Sequence, residues 1–448
     1  MKSFLFQNAR VLDGTGAFPF DGDVLVEGNR IGAIFPGGKR ESIENAESID
    51  CAGATLMPGL VEPHAHLSFL DQATPHHFSS IPVEEHLLAT LRHARIYLDA
   101  GFTACFGAAA TKPRLDIVAR NAIDAGEFPG PRLLAASVQL TVTGGVGDLR
   151  QMHFDPGEAM YTLPCDGPVE FTRAAREACR EGVDVLKIVP SGDTSTPSLP
   201  SARTLMTREE IAAVTQVARQ QEKRVAAHAR SAESVKLSVQ EGVDVLYHAT
   251  YADEEGKDLI EAHRGRVFVA PAMSVTWTRL HESGKHGLPS SPESRERIGR
   301  DLERTIECMK DLKRRGVRVL PGGDYGFLWN PHGANARDLE FFVDLMGFTP
   351  MEAIVAATKW GGEIMGRSQE LGLVKKGYLA DLLLVDGDPL ADVRMLQDRA
   401  RLAAIMKDGL FHKAPYEWIS ASREEKRSSA HPVRGSARVA PLPSRVKG

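Results

Sequence analysis

In the stretch LMPGLVEPHAH, residues 56–66, a short apolar run ends in two histidines separated by one alanine. Residues two apart in an extended strand point to the same side, so His64 and His66 are expected to project together from one strand end. Two imidazoles aimed at one point suit a metal ion. A polar loop that carries two histidines by chance has the same pattern. Whether His64 and His66 bind a metal therefore depends on ligands elsewhere in the chain.

Composition limits the class of protein. The chain has 448 residues, of which 42% are apolar and 25% charged, values typical of a globular protein large enough for a barrel with additions. A net charge of −5 gives no reason to expect a nucleic-acid partner. Five cysteines without a CxxC pair indicate reduced thiols in a cytoplasmic protein. No signal peptide and no run of roughly 18 apolar residues are found, so no membrane partner is expected.

The middle of the chain alternates between strand-like and helical segments. Eight short apolar runs recur between residues 56 and 324, and amphipathic stretches separate many of them. Capping boxes, Thr207 with Glu210 and Thr349 with Glu352, predict two helix starts. This alternation favours a parallel sheet, and eight units predict an α/β fold of the (β/α)₈ TIM-barrel type. The alternative is an open doubly wound sheet, although no GxGxxG motif follows the first strand.

The two ends of the chain resemble each other. Residues 1–57 and 366–418 contain short alternating segments punctuated by Gly, Asn and Asp, which predicts strands and turns. We expect these two pieces to form one small composite β-sandwich domain, with the barrel at 58–365 inserted between them. Residues 419–448 are rich in Ser, Arg and Pro, which predicts a mobile tail. Packing of the tail on a neighbouring subunit is the alternative.

Side chains that can bind metal stand at the ends of five predicted strands. In a barrel of this type, active groups lie at the C-terminal ends of the strands. Lys187 lies among aliphatic neighbours in VDVLKIV, where its ammonium is costly unless it is paired or neutralised. Alternatively, its head reaches solvent at the barrel end. Together the strand-end residues indicate a metal centre; they are His64, His66, Lys187, His228, His248 and Asp324.

This order of ligands resembles the amidohydrolase superfamily over nearly the whole chain. The sequence is most similar to the branch of Xaa-Pro dipeptidase-like, imidazolonepropionase-related and ochratoxinase-type enzymes. The resemblance implies two divalent metal ions, usually zinc, bridged by a lysine that carbon dioxide has carboxylated, and a homo-oligomer. It divides the six residues between the ions as follows: His64, His66 and Asp324 hold the first, His228 and His248 the second, and Lys187 both.

The implied site predicts a metal-dependent hydrolase of small molecules. A hydroxide that bridges the metals attacks a carbonyl, and Asp324 passes the proton to the leaving group. Lys187 and His248, which hold the ions, complete the predicted catalytic set. The expected reaction is cleavage of an amide or carbamate C–N bond in an N-acyl amino acid, dipeptide, anilide or carbamate. The alternatives are a lactonase or cyclic-amide hydrolase with the same site, and a catalytically silent binding or assembly protein.

Further residues carry predictions about the substrate. Residues 141–165 are long for a barrel loop and are expected to form a lid or pocket wall, whose apolar side chains suggest an apolar or aromatic substrate group. Val146 stands where many relatives carry a histidine. Arg230 is interpreted equally as a receptor for a substrate carboxylate or as a salt bridge on the barrel rim. The predicted substrate-binding residues are Val146, His153, Arg230, Tyr251 and His332.

Overall fold

A computed structural model describes residues 2–38, 43, 45–74, 80–157, 160–196, 198–416, 418 and 420. Apart from residue 420, the predicted tail 419–448 lies outside the described residues. All five cysteines are free thiols. Among the described helices, none combines the length and the apolar character needed to cross a membrane.

The described strands are β1 (Ser3–Val11), β2 (Phe20–Glu27), β3 (Arg30–Pro36), β4 (Ala46–Asp50), β5 (Thr55–Pro58), β6 (Leu60–Ala65), β7 (Phe102–Gly107), β8 (Arg132–Leu134), β9 (Ala136–Thr141), β10 (Thr162–Pro164), β11 (Val185–Ile188), β12 (Arg224–Ala229), β13 (Val245–His248), β14 (Phe268–Ala270), β15 (Leu382–Val385), β16 (Leu402–Lys407) and β17 (Leu410–Lys413). The described α-helices are α1 (Val83–Asp99), α2 (Leu115–Asp124), α3 (Gly167–Glu181), α4 (Arg208–Gln220), α5 (Ala232–Glu241), α6 (Glu254–Ala262), α7 (Met273–His281), α8 (Pro292–Arg314), α9 (Arg337–Asp344), α10 (Pro350–Ala357) and α11 (Lys359–Ile364).

One sheet joins the two ends of the chain. Its eight strands run in the order β17-β16-β15-β5-β1-β2-β3, with β4 paired to β1. Strands β5 and β15 pair antiparallel, with Met57 opposite Leu383, so the N-terminal and C-terminal segments meet at this ladder. Both ends of the chain thus share one sheet, whereas the composite β-sandwich domain and its boundaries stay predictions.

The middle of the chain forms two parallel sheets covered by helices. The first sheet has the order β6-β7-β8 and the second the order β10-β9-β11-β12-β13-β14. Every residue of β6, β7, β11 and β13 is buried, as expected for strands covered on both faces. Both predicted capping boxes are present, at the starts of α4 and α10. This α/β arrangement is TIM-barrel-like.

The prediction of eight regular barrel strands is wrong at two places. The third apolar run divides at Ala135 into β8 and β9. The eighth run, VRVLPGGD, forms only a single parallel bridge, Val319 to Val269, in the described part of the chain. No described ladder joins this run to β6, so a closed ring of hydrogen-bonded strands is not observed within the described residues.

Prolines explain the missing ladder between the eighth run and β6. Pro321 in the eighth run and Pro63 in β6 have no backbone N–H to donate to a ladder. The two segments nevertheless lie in close contact. A Cβ built on Gly322 would lie 2.8 Å from Cγ of Pro63 and 3.0 Å from Cβ of His64. Only glycine fits this approach, which brings the residues after the eighth run beside the histidines of β6.

Candidate metal centre

The first cluster consists of His64, His66 and Asp324. The two histidines are buried at the end of β6, and Asp324 is the last residue of the eighth run. Nε2 of His66 lies 3.2 Å, and Nε2 of His64 3.8 Å, from Oδ1 of Asp324. One ligand atom from each of the three residues lies within 4.8 Å of the others, so the cluster could hold a metal ion.

Asp324 is held in an unusual backbone conformation. Its φ of +58° is in the left-handed region, which costs a residue with a Cβ some strain. Nδ2 of Asn330 donates to the carbonyls of Gly323, at 2.9 Å, and Asp324, at 3.1 Å. The hydroxyl of Ser274 in turn donates to Oδ1 of Asn330 at 2.7 Å. These bonds fix the turn that aims the Asp324 carboxylate at the histidines.

His228 and His248 form the second pair. They stand on β12 and β13, which are neighbouring parallel strands with Ala229 opposite His248. Their ring centroids are 4.3 Å apart, and the ring of His248 lies 5.6 Å from that of His64. The second pair therefore lies directly beside the first cluster.

Lys187 lies beneath both groups of histidines. Its side chain on β11 is buried, so the alternative in which its head reaches solvent is wrong. Nζ lies 4.4 Å from the ring centroid of Tyr247, and that ring stacks on His64 at 3.6 Å. Burial lowers the pKa of Lys187 to about 7, although the nearby Asp324 carboxylate acts in the opposite direction. A substantial fraction of Lys187 is therefore neutral near pH 7.

The ring nitrogens of these histidines fit metal coordination. Nδ1 of His66 lies 3.1 Å from the carbonyl oxygen of Ala109, and Nε2 of His228 lies 3.0 Å from that of Gly192. A carbonyl oxygen only accepts, so each of these nitrogens carries the proton and the opposite nitrogen keeps its lone pair.

Three other ring nitrogens lack any partner among the described residues. They are fully buried: Nδ1 of His64 and both nitrogens of His248. Burial lowers the pKa of both histidines well below the usual value, which keeps the imidazoles neutral, the form that binds metal. Buried polar atoms without partners are costly, and coordination would satisfy them. The residues present therefore fit metal ions.

Glu62 is a member of the site that sequence reasoning missed. Its carboxylate accepts hydrogen bonds from the backbone N–H of His64 at 2.9 Å and from Nδ2 of Asn335 at 2.7 Å. Burial and the nearby Asp338 carboxylate raise the pKa of Glu62 to about 8. Glu62 is the one charged residue in the opening stretch, and this isolation was the available clue.

Asp193 is a second residue that was missed, and it changes the interpretation of Arg230. Oδ2 of Asp193 lies 3.3 Å from Nε of Arg230 and 3.7 Å from Nε2 of His228. Nη1 of Arg230 donates to the hydroxyl of Thr250 at 3.1 Å, and the whole side chain is buried. These contacts favour the salt bridge over a free carboxylate receptor, and they place the pair in the site rather than on an exposed rim.

The remaining predicted substrate residues divide into two groups. Tyr251 and His332 are engaged within the protein: the Tyr251 hydroxyl donates to Oδ1 of Asp301 at 2.5 Å, and Nε2 of His332 lies 2.9 Å from the carbonyl oxygen of Phe69. His153 is exposed and Val146 half-buried in the long loop, and no described contact links either to the metal ligands. Their roles stay predictions.

The long loop after β9 reaches the site through one aromatic residue. The ring of Tyr161 lies edge-on to Phe69, with centroids 6.4 Å apart, and Phe69 stacks on His66 at 4.2 Å. Met152 and Phe154, in contrast, are exposed. Of the predicted apolar wall, Tyr161 thus lies beside the candidate ligands.

A TIM-barrel-like α/β fold with a His-His-Asp cluster at its strand ends is typical of a class of metal-dependent enzymes. The model of the amidohydrolase family matches residues 55–411. The chain therefore belongs to the amidohydrolase family, whose members are typically metal-dependent.

The comparisons with individual proteins agree with this family. An ochratoxinase of Aspergillus niger is 28% identical over 310 residues, which are 66% of this chain and 63% of that protein. The match thus spans less than two thirds of the relative's length. Among solved structures, a prolidase complexed with N-methylphosphonate-L-proline has a TM-score of 0.83 at 26% identity, covering 92% of this chain and 100% of that one. A Xaa-Pro dipeptidase with bound methionine has a TM-score of 0.80 at 26% identity and the same coverage.

Proposed function

We propose that this protein is a binuclear metal-dependent hydrolase that cleaves an amide or carbamate C–N bond of a small molecule. The observation that carries the proposal is the group of three buried imidazole nitrogens without partners, beside a carboxylate and a buried lysine. The ochratoxinase and the Xaa-Pro dipeptidase to which the chain is similar support an amide substrate.

The proposed ligand set is the one that the family resemblance implies. In this set, His64, His66 and Asp324 would hold the first ion, His228 and His248 the second, and a carboxylated Lys187 would serve both. When bound, two divalent cations, for which we propose zinc, polarise a carbonyl oxygen and lower the pKa of water towards neutrality.

Lys187 must first become an anion to bridge two cations. Its neutral amine nitrogen attacks the carbon of carbon dioxide, a C–N bond forms, and one proton leaves to solvent, which yields a carbamate. Burial favours this step because it lowers the pKa of Lys187 to about 7 and so supplies the unprotonated amine. The ring of Tyr247, held by a 2.9 Å hydrogen bond from its hydroxyl to the carbonyl of Pro63, fixes the lysine side chain.

Asp324 is the proposed proton carrier. Its side chain is 16% exposed, so a substrate can reach the carboxylate that His66 orients. We propose that the carboxylate accepts the proton of the attacking water and delivers it to the leaving nitrogen. Tyr161 and Phe69 offer an apolar surface beside His66 for an aromatic or aliphatic substrate group. We further propose a cytoplasmic homo-oligomer with no nucleic-acid partner.

A turnover screen of the zinc-loaded protein tests this function. The panel contains N-acyl amino acids, dipeptides, anilides, carbamates and lactones, and the variant Asp324→Asn serves as the inactive reference. We expect turnover of at least one amide or carbamate, reduced about 10²- to 10⁴-fold in the variant, the range for loss of a general acid–base group. The matched control is His263→Asn, on the exposed end of α6, which should retain full activity. Turnover of lactones alone, or of nothing in the panel, would contradict the proposal.

A further inference from the structure

A cavity of about 650 Å³ lies at the opposite ends of the strands that carry His228 and His248. Its wall includes Arg224, the first residue of β12, and Phe268, the first residue of β14. It also includes Arg318 and residues of the segment 359–378, which leads to β15. We call this space the basic cavity. It shares no residue with the candidate metal centre.

The basic cavity carries an excess of positive charge. Two carboxylates, Asp244 and Glu363, line it, so its net formal charge is +3. Glu363 lies 2.9 Å from Nη1 of Arg318, and Asp244 lies 3.5 Å from Nε of Arg224. The other three cations form no ion pair with any residue of the described chain. The five cations are Arg224, Arg266, Arg318, Lys359 and Lys375.

Three guanidinium nitrogens at the basic cavity are buried without a hydrogen-bond acceptor in the described part of the chain. They are Nε and Nη2 of Arg318 and Nε of Arg224, of which the last lies at ion-pair distance from Oδ1 of Asp244, 3.5 Å, but without hydrogen-bond geometry. The Arg318 guanidinium lies 3.8 Å over the ring of Phe268, which holds its plane in place. Unsatisfied buried donors, and charged ones above all, are costly in a folded protein. An acceptor that enters the cavity would remove this cost.

The cations of the basic cavity also crowd one another. Burial, together with the nearby Arg219 and Arg224, lowers the pKa of Arg266 despite the attraction of Asp244. Nη2 of Arg266 donates to the carbonyl of Val239 at 3.0 Å, a neutral partner that leaves its charge uncompensated. An anion of two or more charges would relieve this repulsion.

A second, larger cavity differs from the basic cavity in its charge. It has a volume of about 900 Å³ and lies at the starts of β8 and β11. Each of its four lysine and arginine side chains has a carboxylate partner, and with three lining carboxylates its net formal charge is only +1. The pairs are Arg120 with Asp184, Arg132 with Asp408, Lys407 with Asp408, and Arg367 with Glu370. The charge excess is thus a property of the basic cavity and not of this end of the molecule in general.

We propose that the basic cavity binds a multivalent oxyanion of the phosphate class, either free or as the phosphoryl group of a small organic molecule. Guanidinium forks match phosphate oxygens in geometry and charge, and lysines add point charges. The bound anion would connect the strand starts of the barrel region, through Arg224 and Arg318, with the segment of Lys359 and Lys375. Its binding therefore stabilises the junction between the parallel sheets and the eight-stranded sheet. This inference does not depend on the proposed hydrolase function.

Calorimetric titration of the full chain with inorganic phosphate tests the proposal, with sodium acetate at equal ionic strength as the reference. We expect one saturable site per chain and a rise in melting temperature with phosphate only. Lys359→Gln removes a cation that has no described ion-pair partner, so folding should be retained while affinity falls about tenfold. Arg318→Gln, titrated in the same way, should abolish phosphate binding. Lys310→Gln removes the same charge from the exposed face of α8 and should bind phosphate as the unmodified protein does.

A second titration with glycerol 3-phosphate distinguishes the two sources of the anion. Tighter binding than that of inorganic phosphate identifies a phosphorylated organic ligand, and equal binding identifies free phosphate; both results support the site. Absence of saturable binding overturns the proposal. Undiminished binding by both Lys359→Gln and Arg318→Gln also overturns it, because the phosphate would then be bound elsewhere, including at the metal centre.

Discussion

The two ends of strands β12 and β13 differ in the kind of nitrogen-containing side chain that lies there. At the C-terminal ends, His228 and His248 are neutral, because burial lowers the pKa of each below its usual value. At the N-terminal end, Arg224 lines the basic cavity with Arg266 and Arg318. Neutral imidazoles offer lone pairs to cations, whereas guanidinium groups offer protons to anions. The side chains at one end of these strands therefore suit the binding of cations, and those at the other end suit the binding of anions.

The largest expected effect comes from comparing a lysine of the metal centre, Lys187, with a lysine of the basic cavity, Lys359. Lys187→Ala removes the proposed bridge between the ions, so we expect loss of bound metal and a fall in turnover of about 10³-fold or more, the scale of losing a preorganised electrostatic group. Lys359→Gln, at the basic cavity, should change neither. The measurements are metal content by elemental analysis and kcat on the substrate found in the screen. Full metal content and full activity in Lys187→Ala would show that Lys187 does not bridge the ions.

A smaller effect tests the ion pair beside the second pair of histidines. Asp193→Asn removes the carboxylate 3.3 Å from Nε of Arg230 and leaves a buried guanidinium without its charge partner. A substrate carboxylate can then replace Asp193. We therefore expect KM for an N-acyl amino acid to fall about tenfold relative to KM for the corresponding neutral amide, with kcat little changed.

The contrary outcome for this ion pair is equally definite. An unchanged KM ratio in Asp193→Asn would mean that Arg230 does not face the substrate and acts only within the protein. Arg203→Gln, in the same connecting loop but exposed, is the control for a general change of charge.

The smallest effect concerns the start of α10. Thr349→Ala removes the capping box at the start of α10, where the Thr349 hydroxyl accepts from the N–H of Glu352. We expect a loss of about 1 kcal/mol in the free energy of unfolding. Urea denaturation measures it, with metal content and phosphate binding as readouts that should not move. A change in metal content or in phosphate binding would show that α10 positions residues of the metal centre or of the basic cavity.

Local patterns in the sequence predicted much of this structure. The two capping boxes, the paired histidines of β6 and the strand-end positions of Lys187 and His248 each depend on residues close together in the chain. Spacing alone therefore predicts them. The composite sheet also followed from the similar texture of the two chain ends.

Features that depend on distant partners were not predictable in this way. The partnership of Asp193 with Arg230 joins two loops, and the role of Glu62 depends on Asn335, 273 positions further along the chain. The close approach of the eighth run to β6 depends on Gly322 meeting Pro63 and His64, which are distant in the chain. Such pairs depend on packing in three dimensions, which spacing along one chain does not determine.

Anomalous diffraction from crystals of the zinc-loaded protein, recorded on both sides of the zinc absorption edge, tests the central claim most directly. We expect two zinc peaks per chain, one among His64, His66 and Asp324 and one at His228 and His248, with continuous density from Lys187 to both. A single peak remote from Lys187, or none at these residues, would contradict it.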